Sequence, residues 1–238
     1  MQEKRESCRT GTTYIEEPTS TKDAMPDTSA LTIDLWSDLV CPWCWIGKHR
    51  IERALEAAGL EAKWRFHAYE LGPREQKRQP TLAHLAEKYG VSVAEGRQMM
   101  RRVQDLGAEL GLEMNPDKQQ TAPTYDAHRL VQAAQAKGDA RALVERLHRA
   151  HFSEGLDIGD KSVLKTLAAE TGMDTAEAGR VLEGGAYAAE VEEDERRAVS
   201  YEIGGVPFTV VNGRLAVGGA QSVEAFGKTL REALAAGS

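Results

Sequence analysis

Cys41 and Cys44 are separated by two residues and stand where a strand-like pattern gives way to a helix-like one. Two thiols at this spacing on the first turn of a helix can be joined reversibly into a disulfide. The unpaired N–H groups and positive dipole end of a helix start favour a thiolate at Cys41. We interpret the pair as a redox centre, in which Cys41 is the exposed attacking thiol and Cys44 is the buried resolving thiol.

Three neighbouring residues bear on this chemistry. Pro42 suits the first turn of a helix because its missing N–H is not needed there. Trp43 carries no charge and gives a thiolate less electrostatic help than a histidine could, so the direction of electron flow stays open. Asp38 is interpreted either as a solvated loop carboxylate or as a group that relays protons to the thiols.

A Cys-x-x-Cys pair can also be half of a zinc site, which would need two further ligands. The third cysteine, Cys8, lies alone in a polar stretch, so no second pair exists. His148 and His151 are three apart on a predicted helix and are interpreted as ordinary helix residues. No metal site and no disulfide-stapled scaffold are predicted.

The elements around the cysteines form a βαβ pattern. Residues 31–36 alternate apolar and polar, as do residues 62–69, and each run predicts a strand. Between them, apolar positions that include Gly47 recur at helical spacing from Cys44, and Gly59 predicts the end of the helix.

From about residue 81 to 201 the pattern is helical, with glycine-rich breaks that predict five to seven helices. Residues 208–211 and 214–217 are strand-like and flank Asn212-Gly213, the strongest short-range signal for a β-hairpin. A capped amphipathic helix over 222–235 follows.

This order predicts an α/β thioredoxin fold with an all-helical insertion between its βαβ and ββα halves. The expected division is a disordered N-terminal tail, the first half, the insertion and the second half, at residues 1–30, 31–72, 73–203 and 204–238.

In such a fold, the loop before the hairpin faces the cysteines. The sequence there is Gly205-Val206-Pro207-Phe208, and we predict a cis Val206–Pro207 peptide at the catalytic site. The backbone of Val206 would pair with an extended substrate, and Pro42 and Trp43 would contribute to substrate binding.

The net charge and the composition of the chain limit the classes of partner that we expect it to bind. The net charge of -7 opposes nonspecific binding to nucleic acid. The first 30 residues contain neither an apolar signal nor a membrane anchor, so a cytoplasmic location without membrane partners is predicted, and Met25 is a hypothetical natural start. The acidic run 190–195, with Arg196 and Arg197 after it, is interpreted as a solvated helix face.

Five segments together resemble the DsbA-like thioredoxin superfamily, and within it the FrnE-like branch, which is related to 2-hydroxychromene-2-carboxylate isomerases and kappa-class glutathione transferases. The segments are 38–48, 127–130, 151–158, 205–208 and 218–221. The resemblance implies Cys41 as nucleophile, Cys44 as resolver, Pro207 as the cis residue and a homodimer as an expected assembly.

The leading hypothesis is therefore a thiol-disulfide oxidoreductase that acts on protein or small-molecule thiols and disulfides. Its only redox group would be the Cys41–Cys44 disulfide, with no other cofactor. The rival is a glutathione-dependent isomerase or transferase, for which glutathione would be the bound thiol. A third hypothesis is a noncatalytic peptide-binding module. Retention of both cysteines favours the redox enzyme.

Overall fold

The computed structural model describes residues 12–14 and 31–236. Strand β2 (Leu31–Ser37), helix α1 (Pro42–Ala58) and strand β3 (Ala62–Ala68) form the expected βαβ unit, in which the two strands are parallel. Helix α1 ends at Gly59, which has a left-handed backbone with φ of 63°. This confirms the first half of the predicted thioredoxin fold.

The second half is a hairpin followed by a helix. Strands β4 (Phe208–Val211) and β5 (Leu215–Gly218) are antiparallel, and helix α9 covers Val223–Ala235. Asn212 and Gly213 in the turn have φ of 50° and 68°, the region that an Asn-Gly turn requires. The predicted hairpin is confirmed.

The sheet order β1-β5-β4-β2-β3 joins the two halves where β2 of the first half pairs with β4 of the second. Strands β2 and β4 are antiparallel, with Trp36 opposite Phe208. The loop that leaves β2 towards Cys41 therefore lies beside Val206 and Pro207, which lead into β4. This register brings the two predicted parts of the site to one edge of the sheet.

The chain between β3 and β4 is helical, as predicted. The helices are α2 Thr81–Tyr89, α3 Val93–Ala108, α4 Tyr125–Ala136, α5 Arg141–Arg149, α6 Lys161–Glu170, α7 Thr175–Glu183 and α8 Ala188–Ser200, and a π-helical turn at Ala150–Glu154 continues α5. Helices α4 and α8 contact β3, and α3 contacts α1. Within the described ranges, no helix is long and apolar enough to cross a bilayer.

One strand departs from the expected disordered tail. Thr12–Tyr14 form strand β1, which pairs antiparallel with β5. The exposed edge of β5 offers unpaired backbone groups, and Thr and Tyr favour extended structure, so this short segment can add to the sheet. The rest of the predicted tail, with Cys8 and Met25, lies outside the described residues.

The acidic run on α8 is only partly solvated, which corrects the sequence interpretation. Asp194 is buried and accepts hydrogen bonds from the Ala68 N–H at 3.0 Å and from the Gln132 side chain at 2.6 Å. It also lies 2.5 Å from Nδ1 of His67, whose Nε2 is 2.8 Å from Asp34. Asp194 thus belongs to a buried polar network, because one side of α8 packs against β3.

Candidate active site

Cys41 is the last residue before α1, and Pro42 opens the helix. Cys41 has an extended backbone with φ of -95°, and its carbonyl accepts the Cys44 N–H at 3.0 Å, which closes the first turn. Both cysteines are free thiols. The spacing therefore places the pair on the first helical turn, as predicted.

Both thiols are buried, and the expectation of an exposed Cys41 is wrong. Cys41 is 5% exposed and Cys44 is 0% exposed. The carbonyl oxygen of Val206 lies 3.8 Å from the Cys41 Sγ and accepts a hydrogen bond from this thiol. The small exposed fraction of Cys41 still distinguishes it from its fully buried partner.

The Val206–Pro207 peptide is cis, the geometry expected from the sequence. The Pro207 carbonyl accepts the Gly219 N–H at 2.8 Å, which ties this segment to the end of β5. A Cβ on Gly47 of α1 would lie only 2.9 Å from the Pro207 Cγ. The close approach of this segment to α1 therefore depends on the missing side chain of Gly47.

Cys44 is held in an apolar interior with one backbone donor. The Asp38 N–H lies 3.5 Å from the Cys44 Sγ. Burial and the neighbouring Cys41 thiol raise the pKa of Cys44 well above its ordinary value. Cys44 is therefore a protonated thiol at neutral pH.

Asp38 is completely buried, so the solvated-loop interpretation of this residue is wrong. Its Oδ2 accepts the Leu71 N–H at 2.7 Å, and its Oδ1 lies 3.6 Å from Nε2 of His128. Burial alone would raise the pKa of Asp38, but His128 and the Leu71 N–H stabilise the carboxylate and lower that pKa overall. An ionised carboxylate is thus held beside the buried thiol.

Comparison with known families identifies this arrangement. The model of the DsbA-like thioredoxin domain matches residues 32–231, most of the chain. The chain belongs to the DsbA-like family. At the level of this family it is a thiol-disulfide oxidoreductase.

Two relatives are similar to the chain over most of its length. A probable DsbA oxidoreductase from Streptomyces coelicolor is 34% identical, with a TM-score of 0.78, and the match covers 85% of this chain and 89% of that one. The uncharacterized protein YwbO of Bacillus subtilis is 26% identical over 206 residues, which are 84% of this chain and 96% of that protein.

Two more distant structures share the fold. A 2-hydroxychromene-2-carboxylate isomerase is 16% identical with a TM-score of 0.60, covering 84% of this chain and 97% of that one. The cytosolic disulfide reductase DsbM from Pseudomonas aeruginosa, solved with GSH, is 22% identical with a TM-score of 0.55, covering 86% and 96%. The resemblance found in the sequence is confirmed at this level.

Buried histidines line the interior side of this DsbA-like site. His148 and His151, which the sequence analysis interprets as ordinary helix residues, are both buried. Burial lowers the pKa of His148 to about 3 and that of His151 to about 4, so both are neutral at pH 7. The i,i+4 spacing of His148 from the buried Val144 was the sequence signal for its inward position. In the described part of the chain, no three His, Cys, Asp or Glu side chains are arranged to hold a metal ion.

His128 is a site residue to which the sequence analysis gave no role. It is buried on α4, between the inward-facing Ala127 and Val131. Two signals were available in the sequence: its place on an apolar helical face, where a histidine is ambiguous, and its place in segment 127–130 of the family resemblance. Its proximity to Asp38 depends on how α4 packs against β3, the strand next to β2.

A carboxylate on α5 anchors the start of α1. Glu145 accepts the Trp45 indole N–H at 3.0 Å and pairs with Lys48 Nζ at 2.9 Å and with His49 Nε2 at 3.0 Å. Burial by itself would raise the pKa of Glu145. His49 and Lys48 stabilise the carboxylate more strongly and hold this pKa well below its usual range. The DsbA-like dithiol is thus carried by a helix that is fixed to the insertion.

Two large apolar side chains close to the dithiol in the chain or in the fold are exposed to solvent. Trp43 is 37% exposed, and Leu71, whose N–H binds Asp38, is 54% exposed. The structure therefore gathers the predicted site residues around one thiol. These are Cys41, Pro42, Trp43, Cys44, Val206 and Pro207.

Proposed function

We propose that the Cys41-Pro42-Trp43-Cys44 dithiol exchanges disulfides with protein or small thiol substrates. The observation that carries the proposal is the asymmetry of the two sulfurs on the first turn of α1. Cys41 retains some exposure beneath the Val206 carbonyl, whereas Cys44 is sealed in the interior. Membership of the DsbA-like family supports this division into attacking and resolving thiols.

In the proposed reaction, the Cys41 thiolate attacks a substrate disulfide. A bond forms between Cys41 and one substrate sulfur, and the other substrate sulfur leaves as a thiolate that takes up a proton. Cys44 then loses its proton and attacks the Cys41 Sγ, which forms the internal disulfide and releases the second substrate sulfur. Two electrons pass from the dithiol to the substrate, and the reverse sequence oxidises a substrate dithiol.

The segment before β4 supplies the binding surface in this proposal. The Val206 carbonyl lies beside the Cys41 Sγ, where the backbone of an extended substrate could pair with it as a strand does. Trp43 offers an exposed apolar contact next to the same sulfur, and Pro42 borders it. Such a surface would bind the extended backbone of a substrate and an apolar side chain next to its disulfide. An unfolded polypeptide supplies both.

Insulin reduction by a chemical reductant tests the proposal. Cys41→Ser should abolish catalysis because no attacking thiolate remains. Cys44→Ser should still react once, and mass spectrometry should find the substrate joined to Cys41. Cys8→Ser is the matched control and should turn over like the unmodified protein. Catalysis that survives in Cys41→Ser would contradict the proposal.

Glutathione is the small thiol that we propose as a partner of Cys41, because the fold neighbour DsbM was solved with GSH. The isomerase neighbour suggests a second function, in which bound glutathione acts without a cysteine pair. Cys44→Ser discriminates the two. A redox enzyme stops at a glutathione adduct, whereas an isomerase of that kind keeps its activity.

The direction of net electron flow follows from the compartment and the reduction potential. We propose a cytoplasmic location from the composition of the chain, and a cytosolic poise favours the reduced dithiol. Equilibration with glutathione buffers measures the potential of the pair. The homodimer stays a prediction, which light scattering of the purified protein tests.

A further inference from the structure

His67 on β3 lies between two buried carboxylates. Its Nδ1 is 2.5 Å from an oxygen of Asp194 on α8, and its Nε2 is 2.8 Å from an oxygen of Asp34 on β2. All three side chains are at most 8% exposed. A neutral imidazole carries one N–H and can donate to only one of these oxygens. Both contacts are therefore hydrogen bonds only when His67 is an imidazolium.

The charges around His67 come from three elements, β2, β3 and α8. Arg65 of β3 lies 3.6 Å from Asp34, and Arg197 of α8 is attracted to both carboxylates. Burial by itself would lower the pKa of His67, but Asp194 and Asp34 raise it above its ordinary value overall. The imidazolium therefore persists above pH 6.5, where an ordinary histidine is largely neutral.

Asp194 attaches α8 to the sheet at this place. Its second carboxylate oxygen accepts the Ala68 N–H at 3.0 Å and the Gln132 side chain at 2.6 Å. Its backbone carbonyl accepts the Trp36 indole N–H at 3.1 Å, and the Trp36 ring stacks on His67 at 4.2 Å. Strands β2 and β3 are hydrogen-bonded neighbours, so α8 is the element that can move when a contact of His67 is lost.

Helix α8 leads into the segment that carries Val206. The residues after α8 pack on Trp36, where the Tyr201 ring meets the indole edge-on at 5.5 Å and the Phe208 ring does so at 6.3 Å. Val206 packs against the same buried cluster around Trp36. The position of α8 therefore bears on the Val206 carbonyl, which lies 3.8 Å from the Cys41 Sγ.

We propose that His67 is a positioning residue whose imidazolium binds Asp34 and Asp194 together, fixes α8 and so holds Val206 in place for substrate binding. This role rests on the dithiol exchange and the Val206 pairing proposed above. When His67 loses its proton, one ring nitrogen presents a lone pair to a carboxylate oxygen, and the two repel each other. The Asp194 contact opens, because Asp34 is on a strand held between two others. Alkaline pH thus weakens the binding of an extended substrate at Val206.

Asp194→Asn separates the titration of His67 from other effects of alkaline pH. In this variant the amide nitrogen replaces the carboxylate oxygen beside Nδ1 and donates to the neutral imidazole, while the Nε2–H donates to Asp34. The amide oxygen accepts the Ala68 N–H, as the second carboxylate oxygen does. Every group is then paired without an imidazolium. Helix α8 should stay attached throughout the range in which His67 of the unmodified protein titrates.

The test compares two reagents that release the same coloured thiolate. One is the thionitrobenzoate disulfide of a short cysteine-containing peptide, and the other is that of mercaptoethanol, which has no backbone to pair with Val206. Protein with Cys8→Ser and Cys44→Ser keeps Cys41 as its only thiol. The ratio of the two second-order rates cancels the ionisation of Cys41. Stopped-flow absorbance measures this ratio between about pH 6 and about pH 10, which spans the titration of a histidine with a raised pKa.

With His67 in place, the peptide should react faster at the acidic end of this range. It should lose about tenfold of this advantage towards the alkaline end, the scale of a small misplacement at a binding site. His67→Gln should give the low ratio at every pH, because no imidazolium forms. Asp194→Asn should keep the high ratio at every pH. His84→Gln, on α2 beside Gln79, is the matched control and should leave the pH dependence unchanged.

NMR of the histidine rings reports the protonation of His67 independently of activity. The assigned His67 ring signals should titrate with a pKa above 6.5. A pKa at or below 6.5, a ratio that does not fall with pH, or an equal fall in Asp194→Asn overturns the proposal. If circular dichroism shows that His67→Gln is unfolded, the comparison with Asp194→Asn decides alone. Failure of the underlying dithiol function would appear differently, as no coloured thiolate from either reagent.

Discussion

Gly47 controls how closely the Val206–Pro207 segment can lie against α1. A Cβ at this position would lie 2.9 Å from the Pro207 Cγ, which is shorter than a normal van der Waals contact. The Pro207 carbonyl is also fixed by a hydrogen bond from the Gly219 N–H. We expect Gly47→Ala to move this segment away from Cys41. The free energy of unfolding should fall by about 1–3 kcal/mol, as in other overpacked interiors.

Gly179 on α7 is the matched control for this change. A Cβ there would meet only the end of the Lys165 side chain, at 3.5 Å. Gly179→Ala should stabilise the protein by up to about 1 kcal/mol because alanine favours helix. Urea unfolding and the rate of insulin reduction measure both variants. Equal behaviour of the two would show that the contact with Pro207 has no special role.

The site residues differ in how far the sequence predicts them. Cys41 and Cys44 are three residues apart on one helical turn, so their spacing alone predicts that they lie close together. The environment of Asp38, in contrast, could not be predicted from the sequence. Its burial and its nearness to His128 arise from α4, which lies far along the chain. Local patterns carry no information on such contacts.

At the scale of elements, α1 is fixed at its start by α5. Lys48 is buried and is paired with Glu52 and Glu145, each at 2.9 Å. Glu145→Ala removes one partner and also leaves the Trp45 indole N–H unpaired. The free energy of unfolding should fall by about 1–3 kcal/mol, a value reduced because Glu145 is partly exposed.

Glu193→Ala is the control for Glu145→Ala. Glu193 pairs with Arg196 at 2.6 Å on the surface of α8, where both side chains are at least half exposed. Such a pair contributes little to stability. Chemical unfolding of both variants compares them, and an equal loss would refute the anchoring role of Glu145.

The elements themselves were largely predictable, and their packing was not. The Asn212-Gly213 turn and the helix stop at Gly59 follow from backbone preferences of single residues. The inward face of α8 was missed because charged residues surround Asp194 in the sequence. Asp194 can be buried only because Ala68, Gln132 and His67 supply its hydrogen bonds.

For the molecule as a whole, the buried histidines make stability depend on pH. The folded pKa of His148 is about 3 and that of His151 about 4, both below the 6.5 of an unfolded histidine. As pH falls below about 6.5, only the unfolded chain gains these protons, so stability decreases. From pH 6.5 to pH 5, each histidine should lower the free energy of unfolding by about 2 kcal/mol.

His148→Phe should remove about 2 kcal/mol of this loss, because phenylalanine fills the space beside Trp45 without titrating. Urea unfolding at both pH values measures the difference, with His84→Gln as a half-buried control. The titration of His67 does not mask this loss of stability between about pH 6.5 and pH 5. Its pKa is raised beside Asp194 and Asp34, although burial opposes this, so its contribution is complete below about 6.5 and is lost only above that pH. An unchanged pH dependence in His148→Phe would contradict the prediction.

The sequence by itself determined the dithiol, the order of strands and helices, and the family. These depend on spacing and periodicity, which residues close along the chain express without any partner. The contact of Cys41 with the Val206 carbonyl and that of Asp38 with His128 arise only when distant parts of the chain pack together. Those contacts exist because β2 lies between β3 and β4 and because the helical insertion closes over its end.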